Sequence, residues 1–231
     1  MTYGQVKNQV LQLLNQYSVA GTMVASSYNN QQDYINRIPA LVNDATLEIA
    51  TTARKIPAVL TLRVPEPTDP EAEETEDEDV PAVACEEFGD RYRFELPEDF
   101  YQFKTGDTFV TTEDGHVMHT NRYQIEGRKY LLIPKKELEK GRVYTITYYR
   151  YPKLLGDTPE ADDELDNVPE THYAIPYYVA AFLVIHDDNF QFSAFYNKYE
   201  DKLQKMGPGA SAEAAAVGDV YGFARGEGYW T

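Results

Sequence analysis

The stretch YINRIPALVNDATLEIATTARKIPAVLTLRV, residues 34–64, changes its hydrophobic period part-way. Ile35, Ile38, Val42, Ala45 and Ile49 step by 3, 4, 3 and 4, which puts them on one face of a helix. From Val59 the period is two, and VLTLRV (59–64) reads as a strand. Pro39 either delays the regular helix to about Ile38 or kinks its first turn, and Pro57 marks its end. A helix handing over to a strand so abruptly predicts an α+β chain.

Upstream, Thr2 with Gln5 forms a capping box ahead of a helix over Thr2 to Tyr17. Its apolar stripe is Val6, Val10, Leu13, Leu14 and Tyr17. Ser18 to Asn30 reads as a loop around Gly21.

Downstream, RYRFEL (91–96) alternates, and the acidic stretch between it and VLTLRV reads as a long hairpin connection. DTFVTTE (107–113) and HVMHT (116–120) flank Asp114-Gly115, a hairpin signal. RKYLLIP (128–134) and RVYTITYYRY (142–151) are joined by a turn near Gly141. One antiparallel sheet of about five or six strands is expected.

Helices then return. Asn167 with Glu170 reads as the cap of a helix over YAIPYYVAAFLVI, which is apolar on every face. Such a helix must be enclosed by other elements or by neighbouring subunits. Pro176 predicts a kink or a late start. Asp188 or Asn189 caps a last helix with Phe192, Phe195, Tyr199, Leu203 and Met206 on one face, and Gly207-Pro208-Gly209 stops it.

The expected architecture is a four-helix core with an antiparallel β insertion between helices 2 and 3 and an extended C-terminal tail. Its divisions are 1–57 with 167–206 (helical core), 58–156 (β-rich insertion with acidic loop 66–90) and 207–231 (tail).

Charge is unevenly distributed. The 231 residues carry 38 acids and 21 bases, a net charge of −17. Twelve acids and no base lie in 66–90, and seven acids and no base in 157–170; the remaining 19 acids and 21 bases leave the body near +2. Acidic loops of this kind are solvated and do not bind nucleic-acid phosphates. The single Cys85 excludes an intramolecular disulfide framework and a cysteine-based zinc cage. Carboxylates around it should raise its pKa. Met1 to Gln16 lacks a basic head and an apolar run, so no leader is expected, and the longest apolar stretch, 13 residues from Tyr173, is too short to span a membrane.

Motifs of chemistry are weak. His116 and His119 are three apart in a strand and would face opposite sides. His186, Asp187 and Asp188 offer a metal or acid–base cluster, but a helix end and the next cap explain all three. There is no phosphate loop and no nucleophile elbow. The expectation is no catalysis, no cofactor and no metal. The alternatives are a metal-dependent enzyme using His186, Asp187 and Asp188, or an acidic interaction protein acting through loop 66–90.

The last 25 residues hold six of the 14 glycines, and the last 11 hold Tyr221, Phe223, Tyr229 and Trp230. Aromatic anchors on a glycine-rich end suit a docking segment, with Arg225, the tail's one base, available to pair with a partner's carboxylate.

Three groups of residues, YINRIPALVNDATLEIATTARKI (34–56), YRFELPEDFYQF (92–103) and NVPETHYAIPYYVAAFLVIHDD (167–188) leading into NKYEDKLQKM (197–206), carry a family likeness. The chain resembles the head-to-tail connector (adaptor, or head-completion) proteins of tailed bacteriophages over roughly residues 2–206. The resemblance implies a homo-oligomeric ring, usually of twelve, beneath the portal protein, with tail or further neck proteins below. It implies a virion neck location after assembly in the host cytoplasm, DNA passing through without specific binding, and no membrane. It also implies a C-terminal segment reaching onto the portal, which matches the aromatic tail.

Overall fold

The computed structural model of the chain describes residues 1–14, 28–64, 83, 85–104, 109–112, 117–119, 122–186 and 189–206. The chain divides into two compact units, one built from its two ends, up to Lys55 and from Pro152 on, and the other from Ile56–Tyr151. The stretch 152–166 goes with the helical unit because its backbone bonds to the first helix. Tyr3 N–H donates to Asp163 O at 2.8 Å, Gly4 N–H to Ala161 O at 2.9 Å and Leu165 N–H to Met1 O at 3.2 Å. Gly4 is required there, because a Cβ would sit 2.7 Å from the Ala161 carbonyl oxygen.

In the helical unit, α1 (Tyr3–Leu13) begins with the capping box foreseen. Thr2 Oγ1 accepts from Gln5 N–H, and Thr2 N–H donates to Gln5 Oε1 at 3.0 Å. Its buried face is Tyr3, Val6, Val10 and Leu11, so Leu13 is displaced to the flank. Helix α2 (Tyr28–Glu48) is continuous across Pro39, which corrects the late start. Ile38, Val42 and Ala45 are fully buried around that proline. Their burial outweighs the one missing N–H. Residues 28–30 are helical rather than loop.

After Glu48 the helix widens into a π-helical turn, Ile49–Ala53, closed by Arg54 N–H to Ile49 O at 2.8 Å. The Thr51 and Thr52 hydroxyls donate back to the Leu47 and Glu48 carbonyls at 2.8 and 2.6 Å.

A 3-10 turn (Pro169–Tyr173) leads into α3 (Ile175–Val184), with Pro176 in its first turn, so the proline gives a late start and not a kink. Asn167 is not a cap. It is buried, and its side-chain amide donates to Thr46 O at 3.0 Å, tying the entry of α3 to α2.

Helix α4 (Asn189–Lys205) runs antiparallel to α3. Phe182 meets Phe192 at 5.8 Å, Tyr178 meets Tyr199 at 5.2 Å, and the Lys202 Nζ lies 5.9 Å from the Tyr177 ring centre. Helix α3 packs against α1, α2 and α4. Its all-round apolar surface is therefore enclosed within one chain, and needs no neighbouring subunit.

The β unit holds two sheets where one was expected. Strands β1 (Ile56–Arg63), β4 (Phe100–Phe103), β5 (Phe109–Thr112), β6 (Val117–His119) and β9 (Val143–Arg150) form the first, with order β1-β9-β5-β6 and β4 also on β9. Strands β2 (Cys85–Phe88), β3 (Arg91–Glu95), β7 (Gln124–Glu126) and β8 (Tyr130–Pro134) form the second, in the order β2-β3-β8-β7. The β5–β6 hairpin is as expected.

The 59–64 and 91–96 strands do not pair, so the acidic run is no hairpin loop between them. Strand β1 takes β9, with Leu60 opposite Ile146, and β3 takes β8, with Tyr92 opposite Ile133. Pro57 lies within β1, opposite Tyr149, on the outer strand of its sheet's order, where a missing donor is tolerated. The inner faces of both sheets share one core, including Leu62, Tyr92, Phe94, Ile133, Tyr144 and Ile146.

Candidate functional site

The residues proposed for docking, Tyr221, Phe223, Arg225, Tyr229 and Trp230, lie outside the described residues. What is described is the point where that segment leaves the helical unit. The Arg54 guanidinium, just past the π-helical turn, donates to the Met206 carbonyl at the end of α4. One cation thus joins the end of α2 to the end of α4, where four helix carbonyls lack intrahelical partners. Sequence reading passed over Arg54; its only signal was a base following a long apolar stripe.

The apolar residues of α3 and α4 expected to fill the core divide by depth. Val179 and Leu183 are buried, while Phe182, Phe195 and Leu203 pack against the same core from a half-exposed shell.

The acidic run ends in structure. Cys85 to Phe88 is β2, so this part of 66–90 is a strand and not a loop, although Glu86, Glu87 and Phe88 are exposed as expected of a solvated run. Residues 65–82 are outside the described set. Glu86 pairs with Arg93, whose Nε donates at 3.0 Å, and Glu87 takes Lys135 at 2.5 Å and Lys140 at 3.8 Å. The hydrogen bond from Lys135 holds the Glu87 carboxyl below its usual range. The Arg93 guanidinium also lies 4.5 Å from the Tyr130 ring centre and 5.4 Å from that of Phe88. Burial pushes the Cys85 thiol up to about 11, with the Glu87 charge second, so the carboxylate effect foreseen is real but not the leading cause.

For the metal reading, His186 is exposed just beyond α3, and Asp187 and Asp188 lie outside the described residues. Among the described residues no group of three or more His, Cys, Asp and Glu could hold a metal ion. His116 is likewise outside them.

His172 was not singled out from sequence, yet it is buried in the helical unit. Its Nδ1 lies 2.9 Å from the Met1 amine nitrogen and its Nε2 lies 3.1 Å from Asn167 O. The amine can only donate, so Nδ1 accepts and Nε2–H donates, the neutral tautomer. Burial, then the positive amine, lowers its pKa. Among the described residues no helix is long and apolar enough to cross a membrane.

Comparison with known families defines the class: the chain is a phage head-to-tail adaptor protein. The matching family model is described as SU10 adaptor protein and spans residues 1–220, and the chain belongs to that family. No curated protein matches it. Membership carries a structural adaptor role between phage head and tail, a location in the virion neck, and interaction with portal and tail components.

Proposed function

We propose that copies of this chain assemble as a ring on the portal vertex, docking through the aromatic tail, and form part of the DNA conduit that joins capsid to tail. The observation that carries this is the family match over residues 1–220. The enclosed core of the helical unit supports the order of events: each copy folds by itself and then binds. Tyr221, Phe223, Tyr229 and Trp230 supply large anchors with few torsions to freeze, and Arg225 pairs with a portal carboxylate. Arg54 fixes where the tail departs by holding the last turn of α4. The acidic run 66–90, with twelve acids and no base, repels DNA by like charge and does not hold it.

Truncation at Gly207 tests the docking assignment. The shortened protein should keep its helical circular dichroism and thermal transition and lose portal binding in a pull-down. Equal binding by both forms would make the assignment wrong.

A further inference from the structure

Apart from tyrosines, four polar residues are buried among the described residues, and all lie in the helical unit: Thr46, Asn167, Thr171 and His172. The last two are satisfied. Thr171 Oγ1 donates to Val168 O at 2.7 Å, and His172 has a partner at each ring nitrogen. Asn167 Nδ2 donates to Thr46 O at 3.0 Å. Among the described residues, two buried side-chain atoms are left without a hydrogen-bond partner, Thr46 Oγ1 and Asn167 Oδ1. They belong to the two residues that the 3.0 Å bond already holds together.

Turning the Asn167 amide over would set its oxygen against Thr46 O, acceptor to acceptor, so Oδ1 is the free end. The Thr46 hydroxyl could have bonded back along α2, as those of Thr51 and Thr52 do to Leu47 O and Glu48 O. It does not. Thr46 is 2% exposed and Asn167 8%, so bulk solvent does not serve either oxygen. A buried acceptor with no donor carries its full desolvation penalty.

We infer that one ordered water bridges Thr46 Oγ1 and Asn167 Oδ1. Water is the ligand whose chemistry fits, because it brings both donors and acceptors to a small buried polar site. It donates to Oδ1, which can only accept, and either donates to or accepts from the Thr46 hydroxyl. A hard cation would take about six or more oxygens, and the Thr46 carbonyl beside this pair already accepts from Asn167.

The water completes a seam along α2. Asn43, one turn before Thr46, clamps Leu155: its Nδ2 donates to Leu155 O at 3.0 Å, and its Oδ1 accepts from Leu155 N–H at 2.8 Å. Residues three apart share a helix face, so α2 holds the returning chain first at Leu155 and again at Asn167. The second hold fixes where the approach to α3 begins.

A crystal structure of the full chain, with melting of a Thr46→Val variant, tests the bridge. Density for a water within hydrogen-bond distance of both oxygens is expected in the wild type. Thr46→Val keeps the side-chain shape and removes the hydroxyl, so its thermal transition should fall by about 2–4 °C as the bridge is lost. The two oxygens bonded directly to each other, or no density beside them, would overturn the inference. So would a variant that melts at or above the wild-type temperature, because removing an unpaired hydroxyl is neutral or stabilising.

Discussion

The Tyr199 hydroxyl, on α4, donates to the Glu48 carboxylate at the end of α2 across 3.0 Å. Tyr199 is fully buried, and Glu48 is the last residue before the π-helical turn. This bond therefore sets the level at which α4 meets α2, just upstream of the Arg54 contact with Met206.

Replacing Tyr199 by Phe should cost about 1.5–3 kcal/mol, because a hydrogen bond to a charged group is lost and the ring is kept. Urea unfolding measures this directly. Burial, then the Glu48 charge, raises the Tyr199 pKa. A group whose folded pKa is raised stabilises fully below its unfolded value, near 10, and that stability is lost as pH rises beyond it. The difference between wild type and Tyr199→Phe should accordingly shrink above pH 10.

The enclosed α3 makes a claim about the free protein. Leu183→Ala should cost about 2–5 kcal/mol, since Leu183 is buried and the cavity cannot be filled from solvent. The midpoint of wild-type unfolding should not change with protein concentration. A midpoint that rises with concentration would mean that the core is completed by another copy.

These helices show how much the sequence carried. The capping box at Thr2 and the Ile38–Val42–Ala45–Ile49 stripe were legible because both are local patterns with fixed spacing. Pro39 misled because its local penalty is visible in sequence, while the burial around it is not. The two-sheet arrangement was hidden for a related reason. Strands 59–64 and 91–96 alternate alike, and nothing local says that one takes 143–150 and the other 130–134. Asn167 looked like a cap by type and spacing, but its partner, the Thr46 carbonyl, lies 121 residues away. The same distance problem hid His172 and Arg54. The docking residues were read from composition at the chain's end and lie outside the described residues.

His172 gives an acid-side signature. Its folded pKa is lowered, so the unfolded chain takes up the proton first. Stability is complete above the unfolded value, near pH 6.5, and falls as pH drops toward the folded pKa. Chemical denaturation at pH 7.5 and 5.5 should show this loss in the wild type and less of it in His172→Gln. Equal losses would mean that other groups govern the acid limb.

The Cys85 thiol, held up at about 11, should react with a disulfide reagent at pH 8 about a hundredfold more slowly than an exposed cysteine, because so little is thiolate. Lys135→Ala should slow it further, since that cation lowers the thiol's pKa. Fast labelling of the native protein would contradict the strand environment assigned to Cys85.

Electron microscopy of the full chain mixed with its portal tests whether the ring forms. A closed ring of density added to one face of the portal, with one copy per portal subunit, is expected. Portal particles carrying no added ring at saturating concentration would contradict it.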